Sequence, residues 1–188
     1  DRIEVGTFLI AAAITRGDVL LKDVNPDHLK IVLKYLQLAG MKVKIDQDTI
    51  HITPKHASIL PVDITTDIYP GFPTDLQAQW MALMTQANGS SIITENIYTD
   101  RFTHIPELSR LGAHIDLEHN KASMKGNNTL IAAPVMSTDI RASASLIIAA
   151  LAAKGKSTIS RIYHIDRGYE NIEVKLSALG ADISRVKE

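Results

Sequence analysis

Three arginines in the chain are spaced so that their side chains could bind one small anion. Arg101 lies 12 residues after Gly89, and Arg167 lies 12 residues after Gly155. The third, Arg141, stands at the start of a predicted apolar helix. Guanidinium groups bind carboxylates and phosphates through paired hydrogen bonds. The spacing therefore favours a polyanion site, and the open alternative is that these arginines are solvated or paired with neighbouring acids.

The dipeptide Arg167-Gly168 indicates a second anion-binding feature. We predict that it lies in the first turn of a helix over residues 167–179, where glycine costs roughly 0.5–1 kcal/mol relative to alanine. A glycine is useful there if a ligand approaches the backbone, because a helix N-terminus offers free N–H groups to a phosphate. A simple cap by Asp166 is an equally good interpretation of the same residues.

Asp75 is the candidate general base. It follows the segment 69–74, which has two prolines and a glycine and is therefore neither a helix nor a central strand. A carboxylate at the start of an apolar helix predicted over 75–88 could accept a proton from a substrate hydroxyl. It could equally serve as a partner of the helix dipole.

These residues belong to a threefold repeat. Gly40, Gly112 and Gly180 are spaced 72 and 68 residues apart, and each ends a predicted second helix of its repeat. The period is too long for a solenoid unit, so we predict three αβ subdomains about a pseudo-threefold axis. The repeats are predicted at about 1–54, 61–126 and 129–188, within a single domain over 1–188.

The first helix of each repeat is predicted over 3–16, 75–88 and 140–154. Each is apolar on nearly all sides, which is typical of buried helices. We therefore expect an inside-out α/β barrel, with these helices packed inside and a mixed sheet outside each. The first strand of repeat one is missing, and we expect a segment outside this chain to supply it. Strands are predicted at 19–21, 42–45, 49–52, 62–65, 91–95, 114–118, 122–125, 130–133, 158–162 and 181–186.

The composition excludes several classes of function. The chain has no cysteine, which excludes a disulfide frame, a thiolate metal site and a cysteine nucleophile. The net charge of −1 gives no electrostatic case for nucleic acid or an anionic membrane as a partner. The seven histidines show no metal-ligand spacing, and no apolar run is long enough to span a membrane. We expect a cytoplasmic protein without a metal site.

Four stretches of the sequence resemble the enolpyruvyl transferases, most closely the branch that uses UDP-N-acetylglucosamine. They are residues 72–79, 101–108, 138–146 and 161–170, and the last is the most specific. The resemblance spans the whole chain but only part of the family's protein, which has two similar domains with the active site in the cleft between them. It implies that this chain is a C-terminal portion, and that the N-terminal part of the same enzyme supplies the missing strand.

The resemblance also implies a reaction that needs no cofactor. The enolpyruvyl group of phosphoenolpyruvate is transferred to the 3′-hydroxyl of UDP-N-acetylglucosamine with release of phosphate, which is the first committed step of peptidoglycan synthesis. Asp75 resembles the aspartate that deprotonates this hydroxyl, and Asp139 resembles the aspartate near the reacting carbon. The residues implied to hold substrate are Arg101, Arg141 and Arg167 for phosphoenolpyruvate, with Arg167 also catalytic, and Thr74, Ile97 and Gly168 as further substrate-binding positions.

Two other functions stay open at this point. A sister enzyme of the shikimate pathway shares the fold, although the run 161–170 argues against it. A non-catalytic three-lobed binding module is an alternative of a different class, and an upstream reading frame for a second threefold domain would favour the enzyme. The family's loop cysteine or aspartate lies in that other domain. We therefore expect this chain to carry about half of the active site and to be inactive alone.

Overall fold

Helices and strands alternate along the computed structural model, which describes residues 1–186. The α-helices are α1 (Arg2–Thr15), α2 (Lys30–Leu38), α3 (Gln77–Met84), α4 (Ile105–Arg110), α5 (Ile140–Ala152) and α6 (Ile172–Ala178). The strands are β1 (Val19–Leu21), β2 (Met41–Asp46), β3 (Thr49–Pro54), β4 (Ile64–Thr65), β5 (Ser90–Thr94), β6 (His114–Glu118), β7 (Lys121–Lys125), β8 (Pro134–Met136) and β9 (Thr158–Ser160). Short 3₁₀ helices span Pro26–Leu29, Thr74–Leu76 and Ile162–Arg167.

The helices α1, α3 and α5 pack against one another and form the centre of the molecule. Every residue of α3 is buried. α1 is buried continuously from Gly6 to Ile14, and α5 from Ala142 to Ala149. Helices without a polar face can exist in water only when neighbouring elements cover them on all sides. The prediction that the first helices of the repeats cluster inside is confirmed.

The strands form three separate sheets, in the orders β1-β3-β2, β4-β5-β7-β6 and β8-β9. All pairs in the first sheet are antiparallel, and the pair in the third is parallel. The second sheet combines a parallel β4-β5 pair with an antiparallel hairpin. The expectation of a mixed sheet in every repeat is therefore wrong for residues 1–186, because only the sheet of the second repeat contains both parallel and antiparallel pairs.

The second helices of the repeats end in the same turn. Gly40, Gly112 and Gly180 have φ values of +96°, +98° and +98°, a conformation that glycine adopts without the steric cost of a side chain. Each glycine N–H donates to the carbonyl three residues earlier, at 2.9 to 3.1 Å. This shared geometry supports the repeat boundaries that the sequence predicts, which stay predictions.

Two predicted strands in the third repeat are wrong. Residues 130–133 form an isolated bridge through Ile131 to Lys154, and the ladder begins only at Pro134. Residues 181–186 pair with no strand in the part of the chain that the structure describes. Arg185 in this segment instead donates to the carboxylate of Asp166 at 2.6 and 3.1 Å. Alternating residues indicate a strand only where a partner ladder is available.

The predicted helix over 167–179 begins later than expected. Arg167 ends a 3₁₀ helix, and α6 starts at Ile172 after Asn171, whose φ is +48°. A left-handed residue cannot continue a right-handed helix, so it separates the two segments. Gly168 therefore does not lie in a first helical turn, and its N–H is taken by the carbonyl of Ile165 at 3.0 Å. The prediction of a helix N-terminus at this glycine is wrong.

Candidate active site

Asp75 lies in a short 3₁₀ turn that leads directly into the buried helix α3. The turn is held by aromatic packing: the ring of Phe72 meets those of Tyr35 and Trp80 edge to face, with centroids 5.6 and 5.4 Å away. Leu76, the next residue, is completely buried. Buried neighbours on both sides fix the backbone, while the Asp75 side chain stays 36% exposed and can reach a ligand.

Two of the three predicted arginines converge on one oxygen of Asp75. Arg101 donates to Oδ1 from Nη1 at 2.6 Å, and Arg141 donates to the same atom from Nε at 3.1 Å. Both arginine side chains are only 23% exposed. They come from different elements, since Arg101 is in the loop after β5 and Arg141 is in the first turn of α5. The site therefore exists only in the folded chain.

The electrostatics of this cluster keep Asp75 ionised at neutral pH. Partial burial raises the pKa of the carboxyl, but the hydrogen bond from Arg101 and the charge of Arg141 outweigh it. The net pKa lies below the ordinary value of an aspartate. An ionised carboxylate can accept a proton, and each of the two arginines has further N–H donors that a bound anion could use. The arrangement suits proton transfer beside a bound anion.

Asp139 is the N-cap of α5 and lies beside this cluster. Its Oδ1 accepts from the N–H groups of Arg141 at 2.7 Å and Ala142 at 2.9 Å, and its Oδ2 accepts from Thr103 Oγ1 at 2.9 Å. Burial raises the pKa of Asp139, but these hydrogen bonds outweigh burial, so the pKa lies below the ordinary value of an aspartate. One carboxylate thus caps the helix that carries Arg141 and ties it to the loop that carries Arg101.

Arg167 is held next to α5 by its neighbours. Gly168 lies so close to Ile140, the first residue of α5, that an added Cβ would meet its Cγ2 at 3.2 Å. Tyr169 is 2% exposed and fixes the backbone from inside. The Arg167 side chain is exposed, and within residues 1–186 it forms no salt bridge. The structure brings the Arg167 segment to the start of α5 but does not join its guanidinium to the Asp75 cluster.

Thr74 and Ile97 are joined by a residue that sequence reasoning missed. Glu95 is completely buried. Its carboxylate accepts from Thr74 Oγ1 at 2.8 Å and from the N–H of Ile97 at 2.8 Å. An acid at the end of the strand 90–94 was the only available signal. It was weak because the same pattern is typical of a solvated strand end.

A buried polar junction also links the inner helices. The hydroxyls of Thr7 in α1 and Tyr169 lie 2.8 Å apart, and Gln79 Nε2 in α3 donates to them at 3.3 and 3.4 Å. The same nitrogen donates to the backbone carbonyl of Asp75 at 3.0 Å. Buried polar groups need such partners. The junction ties the turn of Asp75 to the residue two positions after Arg167.

His104 is the N-cap of α4 and its side chain is buried. Burial and the charge of Arg101 together lower its pKa from 6.5 to about 4, against the opposing charge of Asp139. His104 is thus neutral at pH 7. Among the described residues, no group of histidine, aspartate and glutamate is arranged to hold a metal ion.

The fold and the site together define an enolpyruvyl-transferase type of domain. A sequence profile described as EPSP synthase (3-phosphoshikimate 1-carboxyvinyltransferase) matches residues 1–176. The chain belongs to this family. No helix of the described residues has the length and apolar character to cross a membrane.

Curated relatives carry a more specific name. A UDP-N-acetylglucosamine 1-carboxyvinyltransferase of Chlorobium chlorochromatii is 55% identical over 187 residues, which is 100% of this chain and 44% of the relative. The enzyme of the same name from Bartonella tribocorum is 54% identical over 188 residues, again 44% of its length. The chain therefore spans less than half of the curated relatives that it matches.

Solved structures agree with the fold. The enolpyruvyl transferase NikO from Streptomyces tendae superposes with a TM-score of 0.88 at 28% identity, covering 97% of this chain and 43% of that one. EPSP synthase from Acinetobacter baumannii superposes with a TM-score of 0.73 at 13% identity, covering 99% and 43%. The second likeness is one of fold alone. The predicted inside-out arrangement of αβ subdomains is confirmed.

Proposed function

We propose that the enzyme containing this chain transfers the enolpyruvyl group of phosphoenolpyruvate to the 3′-hydroxyl of UDP-N-acetylglucosamine. The observation that carries the proposal is the ionised Asp75 carboxylate held by Arg101 and Arg141. The relatives that are 54–55% identical are named for this reaction. In a bacterial cell the reaction supplies peptidoglycan synthesis, and we propose that it takes place in the cytoplasm.

The chemistry assigns a task to each part of the site. The 3′-oxygen forms a bond to C2 of phosphoenolpyruvate while its proton passes to Asp75 and C3 receives a proton. The bond from C2 to the phosphate oxygen then breaks, and a proton leaves C3 to restore the double bond. Asp75 is the base for the hydroxyl, and Asp139 lies near the reacting carbon.

The arginines supply the positive charge that this reaction needs. Arg101, Arg141 and Arg167 hold the phosphate and carboxylate of phosphoenolpyruvate, with the Gly168 backbone beside them. Cations fixed in a partly desolvated site stabilise the leaving phosphate more strongly than mobile ions in water. Thr74 and Ile97 lie on the acceptor side of Asp75, where they contact the nucleotide-sugar.

A second domain of the same enzyme is a proposed partner. The chain covers 44% of its curated relatives, and the proposed reaction needs a proton donor for C3. We propose that a second threefold domain closes over the Asp75 cluster and supplies this donor. Neither a metal nor an organic cofactor takes part in the proposed reaction.

Release of phosphate tests the proposal. The full enzyme is incubated with phosphoenolpyruvate and either UDP-N-acetylglucosamine or shikimate 3-phosphate. The expected result is sustained phosphate release when the acceptor is UDP-N-acetylglucosamine and none when it is shikimate 3-phosphate. Turnover with shikimate 3-phosphate alone would favour the sister reaction for which the family profile is described. Turnover with neither acceptor would contradict the proposed function.

A further inference from the structure

Glu95 is a buried carboxylate to which the proposed reaction assigns no task. It directly follows β5 and has no exposed surface. Its Oε1 accepts from Thr66 Oγ1 at 2.6 Å, from the N–H of Ile97 at 2.8 Å and from the N–H of Tyr98 at 3.0 Å. Its Oε2 accepts from Thr74 Oγ1 at 2.8 Å. Four donors thus surround two oxygens, which suits an acceptor-only carboxylate.

The donors come from both sides of the candidate site. Thr74 is the residue before Asp75, in the same 3₁₀ turn. Ile97 and Tyr98 begin the loop that carries Arg101, and the guanidinium of Arg101 lies 5.3 Å from the centroid of the Tyr98 ring. The carboxylate of Glu95 therefore links the turn that carries Asp75 to the loop that carries Arg101.

Hydrogen bonds to a carboxylate are roughly twice as strong as those between neutral groups, and a buried carboxylate needs all of them. The backbone of Glu95 is fixed as well, because its N–H donates to the carbonyl of Asn120 at 2.8 Å. The Glu95 side chain therefore has one arrangement available. Any displacement of Thr74 or Ile97 costs a hydrogen bond that water cannot replace in the buried site.

We infer that Glu95 is a positioning residue that sets how the acceptor sugar is seated between Asp75 and Ile97. Because the N–H of Ile97 is already used, the backbone group that Ile97 offers to a ligand is its carbonyl oxygen. The inference rests on the proposed function, since it takes Asp75 and Ile97 as contacts of the nucleotide-sugar. Glu95 acts through Thr74 and Ile97 and touches no substrate itself.

The experiment compares three variants of the full enzyme. Glu95→Gln keeps the shape and one oxygen for the donors at Oε1, and its amide group can donate to Thr74 Oγ1, but the charge is lost. Glu95→Ala removes every contact. Asp63→Ala is the matched control. Exposed Asp63 also accepts a backbone hydrogen bond, from the N–H of Ile92 in β5 at 2.7 Å, but it lies outside the site. KM for each substrate, kcat and the melting temperature are measured for all of them.

The expected result is a selective effect on the acceptor. For Glu95→Ala, the KM for UDP-N-acetylglucosamine should rise about tenfold to a hundredfold. This is the factor that corresponds to the loss of a hydrogen bond to a charged group. For Glu95→Gln the rise should be smaller but measurable, and for both variants the KM for phosphoenolpyruvate should change less than the acceptor KM. Asp63→Ala should match the wild type in both KM values.

Three outcomes would overturn the inference. One is an acceptor KM for Glu95→Gln equal to that of the wild type, which decides the matter even if Glu95→Ala does not fold. Another is an equal rise of both KM values, which indicates a general loss of structure. The third is an acceptor KM for Asp63→Ala raised as much as that of Glu95→Ala. Failure of the proposed function is recognised separately, because the wild-type enzyme would then show no turnover with this acceptor.

Discussion

The residue that organises the site is Asp75, because two arginines from distant parts of the sequence share its Oδ1. A carboxylate between two guanidinium groups has a lowered pKa and stays ionised. It is a weaker base than an isolated aspartate, but its position beside the cations places proton transfer and anion binding within one cluster. The proposed reaction needs both at the same carbon atom.

Arg167 forms no salt bridge with Asp75, and its proposed role is to bind phosphoenolpyruvate. In the full enzyme, Arg167→Ala should lower kcat/KM for phosphoenolpyruvate tenfold to a hundredfold, since a charged hydrogen bond contributes about 1.5–3 kcal/mol. Steady-state kinetics measure the effect. The control is Arg110→Ala, because Arg110 is exposed and within residues 1–186 pairs only with Glu107, at 3.9 Å. Equal kinetics for Arg167→Ala and the wild type would make Arg167 a surface residue.

His104 makes the stability of the chain depend on pH. Its pKa is about 4 in the folded chain, below the ordinary 6.5, so between these values the unfolded chain binds a proton that the folded chain does not. The unfolding free energy therefore has its full value above pH 6.5. It falls by about 3 kcal/mol as the pH decreases towards 4.

Urea unfolding measured at several pH values tests this dependence, with fluorescence of the single tryptophan, Trp80, as the signal. His104→Phe should flatten the slope between pH 6.5 and 4. His114→Gln, at an exposed position of β6, should leave the slope unchanged. An unchanged slope for His104→Phe would show that the buried histidine does not titrate in this window.

At the level of the elements, Gly126, which follows β7, lies so close to the segment between α3 and β5 that there is no room for a side chain. An added Cβ would collide with the backbone carbonyls of Ala87 and Gly89. Gly126→Ala should therefore lower the unfolding free energy by about 1–3 kcal/mol, the usual cost of overpacking. Thermal unfolding measures the loss.

The control for this variant is Gly17→Ala, because an added Cβ there would meet its neighbours at ordinary distances of 3.5 Å and more. That variant should unfold within about 0.5 kcal/mol of the wild type. If Gly126→Ala were as stable as Gly17→Ala, Gly126 would not be tightly packed against the segment between α3 and β5.

The elements that the sequence predicted best are those whose composition alone decides their environment. α1, α3 and α5 were predicted as inner helices because they lack a polar face, and strands β2 and β3 were predicted because their residues alternate. The strand at 181–186 and the helix start at Arg167 were predicted wrongly. A strand needs a partner ladder and a helix start depends on a few dihedral angles, and neither is a property of the local sequence.

The candidate site could be predicted only in part, for the same reason. The equivalent repeat positions of Arg101 and Arg167, with Arg141 at the start of an apolar helix, indicated an anion site. The structure places Arg101 and Arg141 at Asp75 but leaves the guanidinium of Arg167 apart from them. Their shared hydrogen bonds to one oxygen depend on the packing of three elements, which no spacing reveals. Glu95 was missed because burial, and not its residue type, makes its carboxylate important.

At the scale of the whole molecule, the chain spans less than half the length of its curated relatives. We predict that the 188-residue chain alone shows no sustained phosphate release with both substrates. Without a second domain the cluster stays wet, and unit charges 4 Å apart interact by only about 1 kcal/mol in water, against about 4 at an effective dielectric constant of 20.

A phosphate assay on the purified chain measures this, with the full enzyme at equal concentration as the control. Binding of phosphoenolpyruvate to the chain should be weak and should fall further with added salt, because exposed charge pairs are screened. Multiple turnovers by the chain alone would place a complete active site within these 188 residues.

The assignment of Asp75 as the base is tested by a variant that cannot accept the proton. Asp75→Asn in the full enzyme keeps the shape but removes the proton acceptor, and kcat at saturation with both substrates is compared with the wild type and with Asp116→Asn, a change at an exposed residue of β6. We expect kcat to fall about 10²–10⁴-fold for Asp75→Asn alone, the usual contribution of a general base. An Asp75→Asn variant that binds the nucleotide-sugar more weakly but keeps its kcat would show that Asp75 is a binding residue and not the base.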